Sequence, residues 1–220
     1  MPNDEMDSLL ARSFRPGPAL QAVTAPAAPA DGSIDLPRGK IAAIATYLEI
    51  REPPSGAAPE LDGRFERVGG DIARYRSLYG RIGEPWLWFT RVLMSDAALG
   101  RIIAHSDVEA LAFVRNGADA ALVELDFRRE GECEIVFFGL VPEAIGGGLG
   151  PRLLQAAIRR GFARPVSRVW LHTCTLDHPA AMSVYLRAGF TPYRRAIEIA
   201  DDPRLTGHLP ATAAPFFPSL

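Results

Sequence analysis

The chain has 220 residues, 48% of them hydrophobic and 23% charged, with a formal net charge of −2. That composition can bury one sizeable core, gives no support for a nucleic-acid binder, and contains no apolar run near the roughly 20 residues that span a bilayer. Two cysteines, Cys133 and Cys174, fall within expected strands and read as reduced, buried thiols; the His and Cys residues near 172–178 lack paired ligand spacing, so no metal is expected.

In chain order, residues 1–39 are rich in Ala and Pro, with a short helix near Asp7–Phe14, and are expected to form an extended, flexible leader. The acidic opening Met1–Asp7 lacks the apolar segment of a secretion signal, so the expected location is the cytoplasm. Ile41–Ile50 reads as a strand ended by Pro53 and Pro54. Asp71–Tyr79 and Glu84–Leu93 read as helices parted by Gly83, and Ser95 and Asp96 cap a third that runs to about Ala104. Val108–Arg115, Ala120–Arg128 and Cys133–Val141 read as strands joined by tight turns at Asn116-Gly117 and Arg129-Glu130-Gly131. A glycine-rich turn then opens a helix from about Gly150 to Phe162, with Leu154, Ile158 and Phe162 on one stripe and Arg152, Gln155 and Arg159 on another. A strand over 168–175 follows. Next comes a helix with His178, Ala181 and Tyr185 on one face, Asp177 or His178 as cap, Pro179 in its first turn and Gly189 at its exit. A last strand spans about 191–200, and the tail 201–220 packs along the surface. The order of elements implies a mixed α/β sheet in one domain over 40–200.

The richest stretch is Val141–Leu154, in which an apolar strand enters Gly146-Gly147-Gly148-Leu149-Gly150 and a helix begins. Such a turn presents bare main-chain N–H groups at the positive end of a helix, an anion site suited to a pyrophosphate. A Walker loop needs Lys-Ser or Lys-Thr after its last glycine, and Gly150 is followed by Pro151-Arg152. In the dinucleotide fingerprint the third glycine would fall on Pro151, and the acidic residue about twenty positions on is missing.

What remains, Ile145–Gly150, resembles the acetyl-CoA pyrophosphate loop of the GNAT superfamily of N-acetyltransferases, whose usual form is Gln/Arg-x-x-Gly-x-Gly/Ala. A second segment resembles the same family. There a strand precedes Asn-x-x-Ala-x-x-Leu/Val-Tyr and a closing Gly-Phe, matched here by Ala181, Val184, Tyr185, Gly189 and Phe190, with His178 at the Asn position. The likeness covers about residues 40–200.

This resemblance implies the GNAT fold, a mixed, mostly antiparallel sheet with a splayed parallel pair, flanked by helices. It implies acetyl-CoA as co-substrate, with pantetheine lying along Phe138, Gly139, Leu140 and Val141 and the pyrophosphate on the amides of Gly146, Gly147, Gly148, Leu149 and Gly150. Arg152, His178 and Ala181 complete the expected cofactor contacts. Gly139 and Pro142 suit a strand that kinks away from its neighbour. Two positions depart from the family pattern: Ile145 replaces the usual Gln or Arg, and Pro151 removes an N–H donor.

Acetyl transfer needs a rigidly held thioester, a neutral amine and a proton for the departing thiolate. Tyr185 is the expected proton donor, because a phenol pKa of about 10 lies near that of a thiol; a buried core tyrosine is the alternative. Glu134 is the expected general base, in register with Val136 and Phe138, and Glu124 on the neighbouring strand is the other candidate. His178 would contact the cofactor, relay a proton or cap its helix. Trp86 and Phe89, three apart, form either buried core or a wall for the acceptor. The expected acceptor is a primary amine of a small molecule or peptide, with no nucleic-acid or membrane partner. The exposed last strand and tail would suit a homodimer. The alternative to an enzyme is a non-catalytic acyl-CoA-binding or sensing module.

Overall fold

The computed structural model describes residue 33 and residues 35–219; the rest of the expected leader, with its short helix, lies outside the described residues. The described strands are β1 (Lys40–Ile50), β2 (Arg64–Arg67), β3 (Val108–Arg115), β4 (Ala118–Asp126), β5 (Glu132–Leu140), β6 (Arg168–Cys174) and β7 (Thr191–Asp201). The described helices are α1 (Ile72–Gly83), α2 (Asp96–Ile103), α3 (Leu149–Gly161) and α4 (Ala181–Arg187). The strands form one sheet in the order β2-β3-β4-β5-β6-β1-β7, in which β5 and β6 are the parallel pair.

Each face of the sheet carries its own core. In α1, Tyr75, Leu78, Tyr79 and Ile82 recur at helical spacing, so one stripe is buried. That stripe packs with Leu99 and Ile103 of α2 on Ala110, Ala112 and Leu122. Asp71 accepts the Arg74 N–H at 2.9 Å and caps α1; Ser95 does the same for α2 through the Ala98 N–H. On the opposite face, Leu153, Leu154, Ala157 and Ile158 of α3 pack on Val123, Leu125, Ile135, Val169 and Leu171, alongside Tyr185 and Phe190. The two turns that join β3, β4 and β5 take the expected left-handed conformations at Asn116, Gly117 and Gly131.

Three elements differ from expectation. The helix expected over Glu84–Leu93 is only a 3-10 turn, Glu84–Trp86, ended by Leu87 in the left-handed region (φ 53°). Trp88 folds back onto α1 instead: its N–H bonds the Gly83 carbonyl at 3.0 Å, and a Cβ on Gly83 would lie 2.3 Å from the Trp88 Cβ. Strand β2 was not expected, because Arg-Phe-Glu-Arg offers a single apolar residue. Arg74 holds it in place, donating to Glu66 at 2.8 Å and to both Asp119 oxygens. The tail does more than lie on the surface. Leu209, Ala213 and Ala214 are buried against Ile41, Ala43, Leu87 and Leu176, forming a third apolar cluster.

Candidate functional site

The sheet opens at its parallel pair. Strands β5 and β6 pair only at Glu132, Cys133 and Glu134, opposite Arg168, Val169 and Trp170. Beyond that point β5 stays with β4 as far as Leu140, while β6 stays with β1 as far as Cys174. The two strands therefore diverge around a cavity of about 970 Å³. Glu134, Phe138, Gly139 and Leu140 line it from β5, His172 and Cys174 from β6, and His178, Ala181 and Tyr185 from beyond β6. Val141 lies outside the lining, buried against α1 with its N–H bonded to the Ala120 carbonyl at 3.0 Å.

A bulge in β5 alters the facing of its side chains. Phe137 pairs with Glu124 and Ile135 with Leu125, so Val136 is the extra residue. Glu134 and Phe137 consequently face the α1 side, whereas Ile135 and Phe138 pack with the α3 core. This corrects the expected register of Glu134 with Phe138: strict alternation fails across the extra residue. Gly139 is a point of close approach. A Cβ there would lie 2.4 Å from Ile82 and 3.1 Å from Trp88.

At one end of the cavity stands the glycine turn. Gly146, Gly147 and Gly148 have φ values of 101°, 60° and 73°, which side-chain-bearing residues rarely adopt. Among the described residues none of their three N–H groups meets a main-chain acceptor. Gly148 is the N-cap of α3, and Gly146, Gly148, Gly150 and Pro151 border the cavity. Leu149 is buried in the α3 core. Arg152 braces the turn from outside, donating to the carbonyls of Gly148 (3.3 Å) and Glu60 (3.2 Å). Arg159 donates to the carbonyls of Ser55, Gly56 and Ala57, so the arginine face of α3 ties down the segment ahead of β2. Ile145, where a polar side chain was expected, is 57% exposed.

Glu134 sits deep in the cavity with a side chain 16% exposed, and the His172 Nδ1 lies 3.8 Å from its carboxyl. Burial pushes its carboxyl up to about 8, with Asp126 and Glu124 adding to the rise and Arg91 and Arg128 opposing it. Glu124, the other candidate base, is fully buried. Arg91 and the Tyr75 hydroxyl donate to its two oxygens, each at 2.5 Å, so both oxygens are taken up within the core.

Tyr185 is 8% exposed, lies edge-on to Phe190 and lines the cavity. Burial, reinforced by Asp177, raises its phenol above the ordinary value, so the hydroxyl keeps its proton. Helix α4 begins later than expected, at Ala181 with Ala180 as N-cap, and Pro179 precedes it. The His178 ring accepts the Ala180 N–H at 3.0 Å and meets Trp86 edge-on at 4.9 Å. Asp177 accepts from the Thr173 hydroxyl, the Cys174 N–H and, at 3.0 Å, the Trp88 indole N–H, which pins the α1 side to the β6 side. Trp88 packs on Tyr79 and Phe137 with ring centroids 5.5 and 5.3 Å away. No set of three His, Cys, Asp or Glu side chains among the described residues could hold a metal ion.

Residues 74–190, slightly more than half the chain, match the model of the acetyltransferase (GNAT) family. The chain belongs to the GNAT family. Among solved structures, a GNAT-family acetyltransferase from Novosphingobium aromaticivorans superposes with a TM-score of 0.52 at 19% identity, covering 77% of this chain and 70% of that one. An N-acetyltransferase from Kribbella flavida gives 0.51 at 19% identity, over 77% and 63%. A Drosophila protein gives 0.52 at 13% identity, over 74% and 52%. This chain therefore spans between about half and 70% of the length of those neighbours, and at such identities the likeness is one of fold. No curated protein matches the chain.

Within this GNAT fold, both sequence motifs border one cavity, and Glu134 and Tyr185 approach it from β5 and α4. His172 and Cys174, two apart on β6, both line the cavity. Asp177 and Trp88 were missed as partners because their contact depends on Trp88 turning back at Leu87.

Proposed function

We propose that the protein is an acetyl-CoA-dependent N-acetyltransferase acting on a primary amine of a small molecule or peptide. The observation that carries this reading is the divergence of β5 from β6 beyond Glu134 and Trp170, with the Gly146–Gly148 turn at its end. A backbone edge left unpaired within a sheet can bond an extended amide-bearing chain, and unpaired N–H groups at a helix start favour a diphosphate. Phe138, Gly139 and Leu140 would hold pantetheine, and Gly146, Gly148 and Gly150 the pyrophosphate, with Arg152 acting through the turn rather than by direct contact.

In the reaction, the acceptor nitrogen attacks the thioester carbonyl carbon directly. The C–S bond breaks as the C–N bond forms. Glu134 in its ionised form takes the proton the nitrogen loses, and Tyr185 donates its proton to the departing sulfur. The raised carboxyl makes Glu134 a stronger base once ionised, above about pH 8, and burial keeps the Tyr185 hydroxyl in the protonated form a donor needs. The aromatic wall of Trp86, Trp88 and Phe89 would bound the acceptor.

The exposed Ile145 supports a second reading, a module that binds acyl-CoA without turning it over. Thiol release from acetyl-CoA across a panel of primary amines, with titration calorimetry in parallel, separates the two. Release with any amine supports the enzyme. Heat of binding without release supports the module, and neither signal removes both.

A further inference from the structure

The outermost strand of the sheet carries an apolar face with nothing of this chain upon it among the described residues. Strand β7 is 11 residues long and pairs with β1 on one edge; among the described residues its other edge is unpaired. Ile197 and Ile199 are 67% and 60% exposed. Ile44, opposite Ile197 on β1 and on the same face, is 52% exposed. Natural edge strands are usually short, or protected by Pro, Lys or a bulge. In this one Pro192 and a register shift beside it are confined to the start, and Arg194–Asp201 has no Pro, no Lys and no register shift.

The sequence Arg195-Ala-Ile-Glu-Ile-Ala-Asp201 reads alike in both directions about Glu198, save that its ends carry opposite charges. Antiparallel pairing of this strand with its own copy, centred on Glu198, is therefore self-complementary. Ile197 falls opposite Ile199 of the second copy, and Arg195 opposite Asp201 of the second copy, each contact occurring twice. Directly opposite side chains in an antiparallel pair share a face, so both isoleucine pairs lie on the exposed apolar side, continuous with Ile44. Arg195 is exposed and makes no ion pair among the described residues; Asp201 is 68% exposed beyond its contact with Lys40. The single like-charge pair is Glu198 with its copy. That side chain accepts the Tyr47 hydroxyl at 3.3 Å and lines the cavity, which draws the carboxylate back from the axis.

We propose that the protein forms a two-fold symmetric dimer by antiparallel pairing of β7 with β7 of a second copy, in the register centred on Glu198. The sheet becomes one of fourteen strands, twice the seven of the single chain. The unpaired edge disappears, and each copy brings its β7 beside the cavity wall formed by Glu198 and Ala200 of the other. This inference does not depend on the proposed activity.

Sedimentation of the full chain from about 1 to 100 µM tests it, since an edge-to-edge contact is of modest area. The expected mass is twice the 23.8 kDa of one chain. Arg195→Asp alone and Asp201→Arg alone each set like charges opposite one another and should weaken the dimer at least tenfold. The double variant restores opposite charges and should recover to within about threefold of the parent. A chain that stays monomeric, a dimer indifferent to the single reversals, or a double variant no better than the singles overturns the proposal. Thermal melts of the variants separate a lost interface from a lost fold.

Discussion

Glu134 concentrates the electrostatics of the cavity in one side chain. Its carboxyl, pushed up to about 8 chiefly by burial, is protonated below that pH and cannot accept a proton there. The kcat/KM for amine acetylation should therefore rise with pH along a limb near 8. Glu134→Gln should lower the plateau by roughly 10² to 10⁴ and flatten the limb. Stability gives an independent check. A carboxyl whose folded value exceeds its unfolded value near 4.5 binds its proton more tightly in the native chain. The native state is thus favoured below 4.5, and that advantage is lost as pH rises through 8. Between pH 5 and 9 the wild type should lose up to about 4 kcal/mol more than Glu134→Gln. Melts of both proteins at the two pH values measure it, and parallel losses would mean a well-solvated carboxylate. Tyr185 responds differently. Its ring packs in the α3 core, while its hydroxyl meets no protein partner among the described residues. Tyr185→Phe should keep coenzyme A affinity and fold while lowering kcat about 10²-fold, read from single-turnover thiol release.

At the scale of elements, the glycine turn needs three successive left-handed residues to leave its N–H groups bare. Gly147→Ala places a Cβ at φ 60°, a strain of about 1–2 kcal/mol. Calorimetry should show coenzyme A bound at least tenfold more weakly, with Leu149–Gly161 still helical by circular dichroism. This turn was legible in the sequence because its chemistry is local, and so were the strands around Asn116-Gly117, where an alternating apolar pattern meets a turn only certain residues permit. Elsewhere the signal was not local. The Trp86–Phe89 segment has helical spacing, but burying Trp88 against Tyr79 and bonding it to Asp177 outweighed one more helical turn. Strand β2 owes its place to Arg74, a residue of α1. The bulge at Val136, which decides that Glu134 faces the cavity floor with Asp126 rather than following Phe138, follows from the pairing of β5 with β4. No residue of β5 announces it.

On the scale of the whole molecule, the cavity is held between parts distant in sequence, and the tail joins them. Arg204 is 8% exposed, with two bonds to the Asp202 carboxylate and others to the carbonyls of Ala213, Ala214 and Phe217. These bonds curl the tail so that Leu209, Ala213 and Ala214 bury Leu87 and Leu176, both of which line the cavity. Phe216 meets Trp86 at 5.3 Å, and Trp86 in turn meets His178, so one chain of contacts runs from the tail to the rim. Replacing Arg204 with Met leaves the Asp202 charge buried and three carbonyls without their donor, a cost of about 3–5 kcal/mol. The Gly146–Gly148 turn lies outside this cluster, so the two halves of the site should separate in their response. Denaturant unfolding should register the full loss, coenzyme A affinity should hold, and the KM for the amine should rise as Leu87 and Trp86 lose their backing. A variant in which cofactor and amine binding weaken together would show instead that the tail supports the fold as a whole.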